Sequence, residues 1–250
     1  MEKIIALEAH NGLSALLVEK SKFDAIWVSS LTQSTSKGLP DNELVTLNEK
    51  LDLVHEIRKV AKKPILVDID TGGNLEHIPY FIRAFRDAGV YAVVIEDKKY
   101  PKQNSLLSDG KHQLEDVDIF TEKILLAKKN SGEMKVIARL ESLIAKRSME
   151  EALIRAVAYV EANADVILIH SKQKIDASEV MEFAKRFRKM FTLPLMAIPS
   201  TYTLPKDNPF SIIVYANQMM RASFAAMKLY SSQKDVDIAD VEEIFELLGH

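Results

Sequence analysis

The sequence predicts one α/β domain, residues 1–250, folded as a closed (β/α)8 barrel of the TIM-barrel type. Three observations lead to this prediction. Eight short runs rich in β-branched residues recur along the chain, with segments of helical periodicity between them. Most of these runs are almost continuously apolar, which is typical of parallel strands buried on both faces. The chain has 250 residues, which is the usual size of such a barrel.

The predicted elements alternate regularly along the chain. The predicted strands are residues 4–9, 25–30, 64–70, 91–97, 135–142, 164–170, 193–200 and 211–217. Helical patterns lie between them. In residues 75–89, apolar residues from Ile78 onward recur at the i, i+3, i+4 and i+7 spacing, and Gly89 ends the pattern. An open doubly wound sheet is the alternative, but no GxGxxG motif follows the first strand.

Composition narrows the possible functions. The net charge is −3 and the pI is about 6.1, so no basic excess indicates nucleic-acid binding. No apolar run approaches the roughly 18 residues that a membrane-spanning helix needs. The first residues turn polar too soon for a secretory signal, and the absence of Cys excludes disulfides and thiolate chemistry. We therefore expect a cytoplasmic protein that binds neither nucleic acid nor membrane.

Polar residues end nearly every predicted strand. In a (β/α)8 barrel, the carboxyl ends of the strands and the loops after them carry the active site. We therefore expect these residues to converge on one rim of the barrel. They are Glu8, His10, Asn11, Ser29, Ser30, Asp68, Asp70, Glu96, Asp97, Lys98, Arg139, Glu141, His170, Ser171, Ser200 and Asn217.

Three acids, Asp68, Asp70 and Glu96, end two adjacent predicted strands. Such carboxylates repel one another unless a cation lies between them. Mg²⁺ suits this set, because it binds through one or two carboxylates while water and substrate complete its shell. Zinc is disfavoured, since the set contains no Cys and the His residues lie elsewhere. The alternative is that these acids cap helices or pair with Lys98.

Arg139 and His170 end the next two predicted strands, and we expect them to lie across the barrel from the acids. A guanidinium group matches the geometry of phosphate or carboxylate. Together with Mg²⁺, Arg139 and a protonated His170 would form a clamp for a phosphorylated acid. The alternatives are an ion pair of Arg139 with Glu141 and a purely structural role for His170.

Two long loops, residues 32–43 and 98–113, follow the second and fourth predicted strands. Loops of this length usually are lids or binding loops. The first carries Asp41, and the second carries Lys102, Asn104 and Ser105. The alternative is that both are solvated surface loops.

A set of motifs carries a resemblance to a known family: EAHNGLSALLVE, IWVSSL, VDIDTGG, EDKKYPKQNSL, VIARLESLIA, ILIHSK and YANQMMRAS. In order and spacing they resemble the phosphoenolpyruvate mutase family, within the isocitrate lyase superfamily. The resemblance implies Mg²⁺-dependent interconversion of phosphoenolpyruvate and phosphonopyruvate, small molecules used in phosphonate biosynthesis. It also implies a barrel whose last helix is swapped between the subunits of a homodimer or homotetramer.

The resemblance also assigns roles to particular residues. The metal set would be Asp68, which contacts Mg²⁺, with Asp70 and Glu96, which hold its water ligands. The substrate-binding set would be Trp27, Ser29, Ser30, Leu31, Ser105, Arg139 and His170. The catalytic set would be Asp41, Lys102, Asn104, Arg139 and His170.

Within these sets, the Ser29 side chain and the amides of Ser30 and Leu31 would bind the pyruvyl carboxylate and oxygen. Arg139 and His170 would hold the phosphoryl group. The family usually has Gly at the position of Ser30, and since its backbone alone is needed, the difference is compatible with this role.

Asp41 would face the transferring phosphoryl group, and Lys102 and Asn104 would come from a gating loop that closes over it. Two related activities are the alternatives. Phosphonopyruvate hydrolases usually have Thr at the position of Asn104, which favours the mutase. Carbon–carbon lyases of the superfamily use a Cys after the fourth strand, and this chain has no Cys.

Overall fold

The computed structural model describes residues 3–249, and within this range eight parallel strands close into a barrel. The strands are β1 (Ile4–Glu8), β2 (Ala25–Val28), β3 (Ile65–Asp68), β4 (Ala92–Glu96), β5 (Lys135–Leu140), β6 (Val166–Ile169), β7 (Leu195–Ala197) and β8 (Ile212–Tyr215). Each strand pairs with the next, and β1 pairs with β8. The predicted barrel is confirmed. The predicted domain limits, residues 1 and 250, lie outside the described residues, so the single domain stays a prediction.

The helices follow the strands around the barrel. Within residues 3–249 they are α1 (Gly12–Glu19), α2 (Ser30–Ser36), α3 (Leu47–Arg58), α4 (Ile78–Asp87), α5 (Val117–Ser131), α6 (Met149–Glu161), α7 (Ser178–Phe187), α8 (Gln218–Ser231) and α9 (Val241–Leu248). A short 3₁₀ helix, Leu75–His77, precedes α4. As predicted, Gly89 follows the end of α4, where its φ of 76° suits a residue without a Cβ.

The prediction of a loop over residues 32–43 is wrong in its first part, because α2 spans Ser30–Ser36. Ser and Thr side chains compete with the backbone for hydrogen bonds and therefore disfavour helices in isolation. Tertiary contacts override this preference here. Gln33 is buried, and its Nε2 donates a hydrogen bond of 3.0 Å to the backbone oxygen of Glu49 in α3.

The alternation of side chains along the strands carries the barrel interior directly into the candidate site. Four adjacent strands each place an apolar residue in one interior cluster: Leu66, Val94, Ile137 and Leu168. Residues two positions further along point to the same side. These are Asp68, Glu96, Arg139 and His170. The opposite strand faces pack against the helices, which explains why the strands are apolar throughout.

The last two helices leave an apolar surface uncovered. In α8, Met220 is buried at the first turn, whereas Phe224, Met227 and Tyr230 are 57%, 59% and 64% exposed. No residue of α9 is buried within the part of the chain that is described. The exchange of a C-terminal helix between subunits concerns this surface and stays a prediction. Among residues 3–249, no helix has the length and apolar character that crossing a bilayer requires.

Candidate active site

A small polar cavity opens at the carboxyl ends of the strands. Its lining residues are Ser29, Leu31, Asp41, Asp68, Lys102, Asn104, Ser105, Leu106, Arg139, His170, Ile198, Ser200 and Asn217. The remaining predicted site residues, Trp27, Ser30, Asp70 and Glu96, are buried but do not line it. Trp27 belongs to the interior cluster beneath, where its indole Nε1 has no hydrogen-bond partner. Ser200 and Asn217 end the predicted strands 193–200 and 211–217, so the strand-end pattern alone points to them.

Arg139 is the centre of a buried charge network. Its Nη1 lies 3.0 Å from Asp68 Oδ2, its Nε lies 2.6 Å from Glu141 Oε1, and its Nη2 lies 3.4 Å from Glu96 Oε2. The prediction that Arg139 lies across the barrel from the acids is wrong, and the same prediction for His170 stays a prediction. Arg139 is next to Glu96 in the register of the adjacent strands β4 and β5, and its long side chain also reaches β3. The alternative pairing with Glu141 is present.

His170 is neutral at physiological pH. Burial lowers its pKa to about 4, although Glu141 opposes the shift. The expected protonated His170 is therefore incorrect, because a buried imidazole beside Arg139 does not take up a second positive charge. His170 Nδ1 lies 2.7 Å from Glu141 Oε1 and 2.9 Å from Arg139 Nη2. We assign the ring hydrogen to Nδ1, donated to Glu141, which leaves Nε2 as the other polar atom of the ring.

Glu141 was not predicted as a site residue, yet it organises the cationic wall. Its Oε1 contacts Arg139 and His170. Its Oε2 lies 3.0 Å from Lys98 Nζ and accepts a hydrogen bond of 2.6 Å from Ser105 Oγ. Burial alone would raise its pKa, but the charges of Arg139 and Lys98 lower the pKa of Glu141 well below its usual range. The i, i+2 spacing from Arg139 was the signal in the sequence.

The acids are held by cations of the chain itself. Asp70 Oδ2 lies 3.0 Å from Lys50 Nζ, and Asp70 Oδ1 lies 3.2 Å from Lys102 Nζ. Lys50 was missed by the sequence analysis. It comes from α3, where it begins the buried stripe that continues with Leu53, Val54 and Ile57. A lysine on the apolar stripe of a helix is the pattern that could have identified it.

Among the three acids, Glu96 has the fewest close contacts with positively charged groups and hydrogen-bond donors. It is fully buried, neither oxygen has a hydrogen-bond partner, and Lys98 Nζ is 3.9 Å away. Burial raises the pKa of Glu96 to about 8. Oxygens left without partners in this way suit a hard cation such as Mg²⁺. Among residues 3–249, no three Asp, Glu or His side chains are arranged as a complete metal cage.

Asp41 joins the two loops above the cavity. Its Oδ2 accepts hydrogen bonds from Lys102 Nζ (2.8 Å) and Asn104 Nδ2 (2.6 Å). Its Oδ1 accepts one of 2.9 Å from Ser30 Oγ. The loop after α2 and the loop of residues 98–113 therefore meet at one buried carboxylate, which covers the polar residues beneath.

Ser29 precedes α2, and Ser30 and Leu31 form its first turn. The first N–H groups of a helix have no acceptor within the helix and are suited to bind an anion. Together with Arg139, which lines the same cavity, they can hold a small ligand that carries negative charge at both ends. This chemistry matches a phosphorylated carboxylic acid.

Known proteins are similar to this chain in sequence. The family model described as phosphoenolpyruvate phosphomutase matches residues 1–233. The chain is 36% identical to the phosphoenolpyruvate phosphomutase of Tetrahymena pyriformis, over 97% of this chain and 86% of the relative.

Two solved structures are similar over almost the whole chain. The crystal structure of phosphoenolpyruvate phosphomutase from Streptomyces platensis subsp. rosaceus has a TM-score of 0.92 and 33% identity, covering 100% of this chain and 91% of that one. A phosphonopyruvate hydrolase in complex with oxalate and Mg²⁺ has a TM-score of 0.87 and 33% identity, covering 99% and 90%. This chain belongs to the phosphoenolpyruvate phosphomutase family.

Proposed function

We propose that this chain is a Mg²⁺-dependent mutase that interconverts phosphoenolpyruvate and 3-phosphonopyruvate. The observation that carries the proposal is the closure of a small polar cavity by Asp41 and Asn104 directly above Arg139 and His170. A transferred phosphoryl group needs such a site, because water would otherwise capture it.

The pyruvyl part of the substrate is bound at the start of α2 and beside the acids. The Ser29 hydroxyl and the amides of Ser30 and Leu31 bind its carboxylate and oxygen. Asp68 would hold Mg²⁺ directly, and Asp70 and Glu96 would hold it through water. The bound ion would supply Lewis-acid polarisation of the enolate oxygen and so make the enolate a better leaving group. The similarity to a hydrolase structure that contains oxalate and Mg²⁺ supports the choice of metal.

The phosphoryl group is bound in the part of the cavity that Arg139 and His170 line. Arg139 donates hydrogen bonds to its oxygens while the oxygen–phosphorus bond breaks, and the neutral His170 lies beside Arg139. The reaction passes through a loose, metaphosphate-like state, so that positioning and electrostatics dominate catalysis. C3 of the retained enolate then forms the carbon–phosphorus bond and the carbonyl is restored, with no proton gained or lost.

Asp41 and Asn104 govern the fate of the transferring group. Asp41 faces the phosphoryl group and is positioned by Ser30, Lys102 and Asn104. Asn104 can donate a hydrogen bond to the phosphoryl oxygens without supplying a nucleophile. The second candidate is phosphonopyruvate hydrolysis, which the similarity to the hydrolase structure supports. Asn104, where such hydrolases usually have Thr, favours the mutase.

The test is to incubate the chain with phosphonopyruvate and Mg²⁺ and to follow the products by phosphorus NMR. We expect phosphoenolpyruvate to form, and the reaction to stop when EDTA removes the metal. Free phosphate with stoichiometric pyruvate would instead establish the hydrolase. Failure to consume phosphonopyruvate at all would refute both activities.

We also propose that the functional protein is a homodimer or homotetramer in which subunits cover one another's C-terminal helices. The exposed side chains of Phe224, Met227 and Tyr230 in α8 support this proposal, because monomers rarely expose a contiguous apolar face. Light scattering after gel filtration would measure the mass. A monomer at micromolar concentration would contradict the proposal. The cytoplasmic location stays a prediction.

A further inference from the structure

The carboxylate of Glu43 joins three loops at the rim of the barrel. Its Oε1 accepts hydrogen bonds from the N–H and the hydroxyl of Thr71, at 3.0 Å and 2.7 Å. Its Oε2 accepts one of 2.7 Å from the N–H of Lys102. Glu43 itself belongs to the loop between α2 and α3, Thr71 follows β3, and Lys102 follows β4. One side chain outside the cavity lining therefore connects the loops that build the cavity.

Thr71 is a fixed point of attachment. It is fully buried, and its backbone oxygen accepts a hydrogen bond of 2.9 Å from Lys123 Nζ in α5. Its hydroxyl also accepts a hydrogen bond of 3.3 Å from the N–H of Gly73. Glu43 Oε1 is thus bound to a residue that the barrel holds in place.

The other oxygen of Glu43 holds the part of the second loop that faces the site. Lys102 extends from the held backbone into the cavity, where its Nζ contacts Asp41 and Asp70. Asn104 follows two residues later and also contacts Asp41. The hydrogen bond to the Lys102 N–H therefore fixes the backbone from which both side chains reach the site.

The backbone conformation of Glu43 is one that glutamate disfavours, so the turn itself does not explain why a glutamate is found here. Its φ is 61°, in the left-handed region that Gly or Asn adopts more readily. A strained residue of an unfavourable type is evidence for a role of its side chain. The carboxylate, with its three accepted hydrogen bonds, supplies that role.

We propose that Glu43 is a positioning residue that holds the lid, residues 98–113, closed over the reacting phosphoryl group. This inference rests on the proposed mutase function for its catalytic consequence. Glu43 does not line the cavity. It acts through Lys102 and Asn104 by excluding water. Loss of its carboxylate should open the lid locally and divert part of the phosphoryl group to water.

The first test measures the lid itself and needs no turnover. Hydrogen exchange with mass spectrometry is compared in the parent, Glu43→Gln and Glu19→Gln. Glu19 is a matched control, because its Oε2 also accepts two backbone hydrogen bonds, 3.1 Å and 3.0 Å from the N–H groups of Lys62 and Lys63. We expect exchange within residues 98–107 to be about tenfold faster in Glu43→Gln and unchanged in Glu19→Gln.

The second test measures the fate of phosphorus in each variant. We expect Glu43→Gln to raise the ratio of free phosphate to mutase product about tenfold, while the KM for phosphonopyruvate changes less than kcat. If Glu43→Gln fails to fold, Glu43→Gly replaces it, since Gly relieves the positive φ while it removes the carboxylate. Unchanged exchange in residues 98–107, or an unchanged product ratio, would overturn the proposal.

The two proposals fail in different ways. If the parent enzyme makes no mutase product, the proposed function is wrong, and the exchange measurement still decides whether Glu43 holds the lid. If the parent is a mutase but the exchange of the lid does not respond to Glu43→Gln, the role of Glu43 alone is wrong.

Discussion

Asn104 Nδ2 donates a hydrogen bond of 2.6 Å to Asp41 Oδ2, across 63 positions of sequence. This contact joins the loop after α2 to the loop after β4 above the cavity. Both residues line the cavity and are held by further bonds, so that the contact defines its roof.

Substitution of Asn104 by Ala should slow the mutase reaction by about 10²-fold and increase the share of free phosphate, because a donor to the phosphoryl oxygens is lost and water enters. Phosphorus NMR measures both effects. The control is Gln103→Ala, since Gln103 lies in the same loop but is exposed and bonds Lys111. Parent-like rates in Asn104→Ala would show that the lid amide has no role.

Substitution of Asp41 by Ala should lower turnover at least about 10³-fold, because the group facing the phosphoryl transfer is removed. The fold should persist, since Lys102 retains its ion pair with Asp70. Circular dichroism and the kinetic assay together distinguish loss of activity from loss of structure. Asp52→Ala, an exposed change in α3, is the control. Turnover close to that of the parent would remove Asp41 from the mechanism.

Substitution of Ser30 by Ala tests the hydroxyl that contacts Asp41. Its bond to Asp41 Oδ1 orients that carboxylate, so we expect kcat to fall by up to about tenfold with little change in stability. Ser34→Ala is the matched control, because Ser34 is buried in the same helix. Steady-state kinetics on both variants provide the measurement. Equal kcat values would mean that Lys102 and Asn104 orient Asp41 without Ser30.

Substitution of Lys50 by Met should lower the free energy of unfolding by about 3 kcal/mol, because Asp70 loses a buried counter-charge. Lys128→Met is the control. Lys128 pairs with Asp165 at 2.6 Å near the surface, where an ion pair contributes at most about 1 kcal/mol. Urea denaturation without added metal measures both. If Lys50→Met lowers the free energy of unfolding no more than Lys128→Met does, Lys102 alone is sufficient to balance the charge of Asp70.

The order of elements and the location of the site could be read from local patterns. Apolar runs gave the strands, and the spacing of apolar residues with Gly89 gave α4, because these features depend on neighbours along the chain. The polar strand ends identified Asp68, Arg139 and His170. The failure at α2 has the opposite cause: its Ser and Thr residues have weak helix propensity, and burial against α3 decides their conformation.

By itself, the sequence determined the barrel and the residues at its mouth, since strand periodicity fixes which side chains face inward. Only the tertiary structure decided how the charges pair. Arg139 contacts Asp68 across 71 positions, Lys50 reaches Asp70 from a helix, and burial keeps His170 neutral. These relationships depend on strand register, side-chain reach and the exclusion of water, and no local pattern of residues contains them.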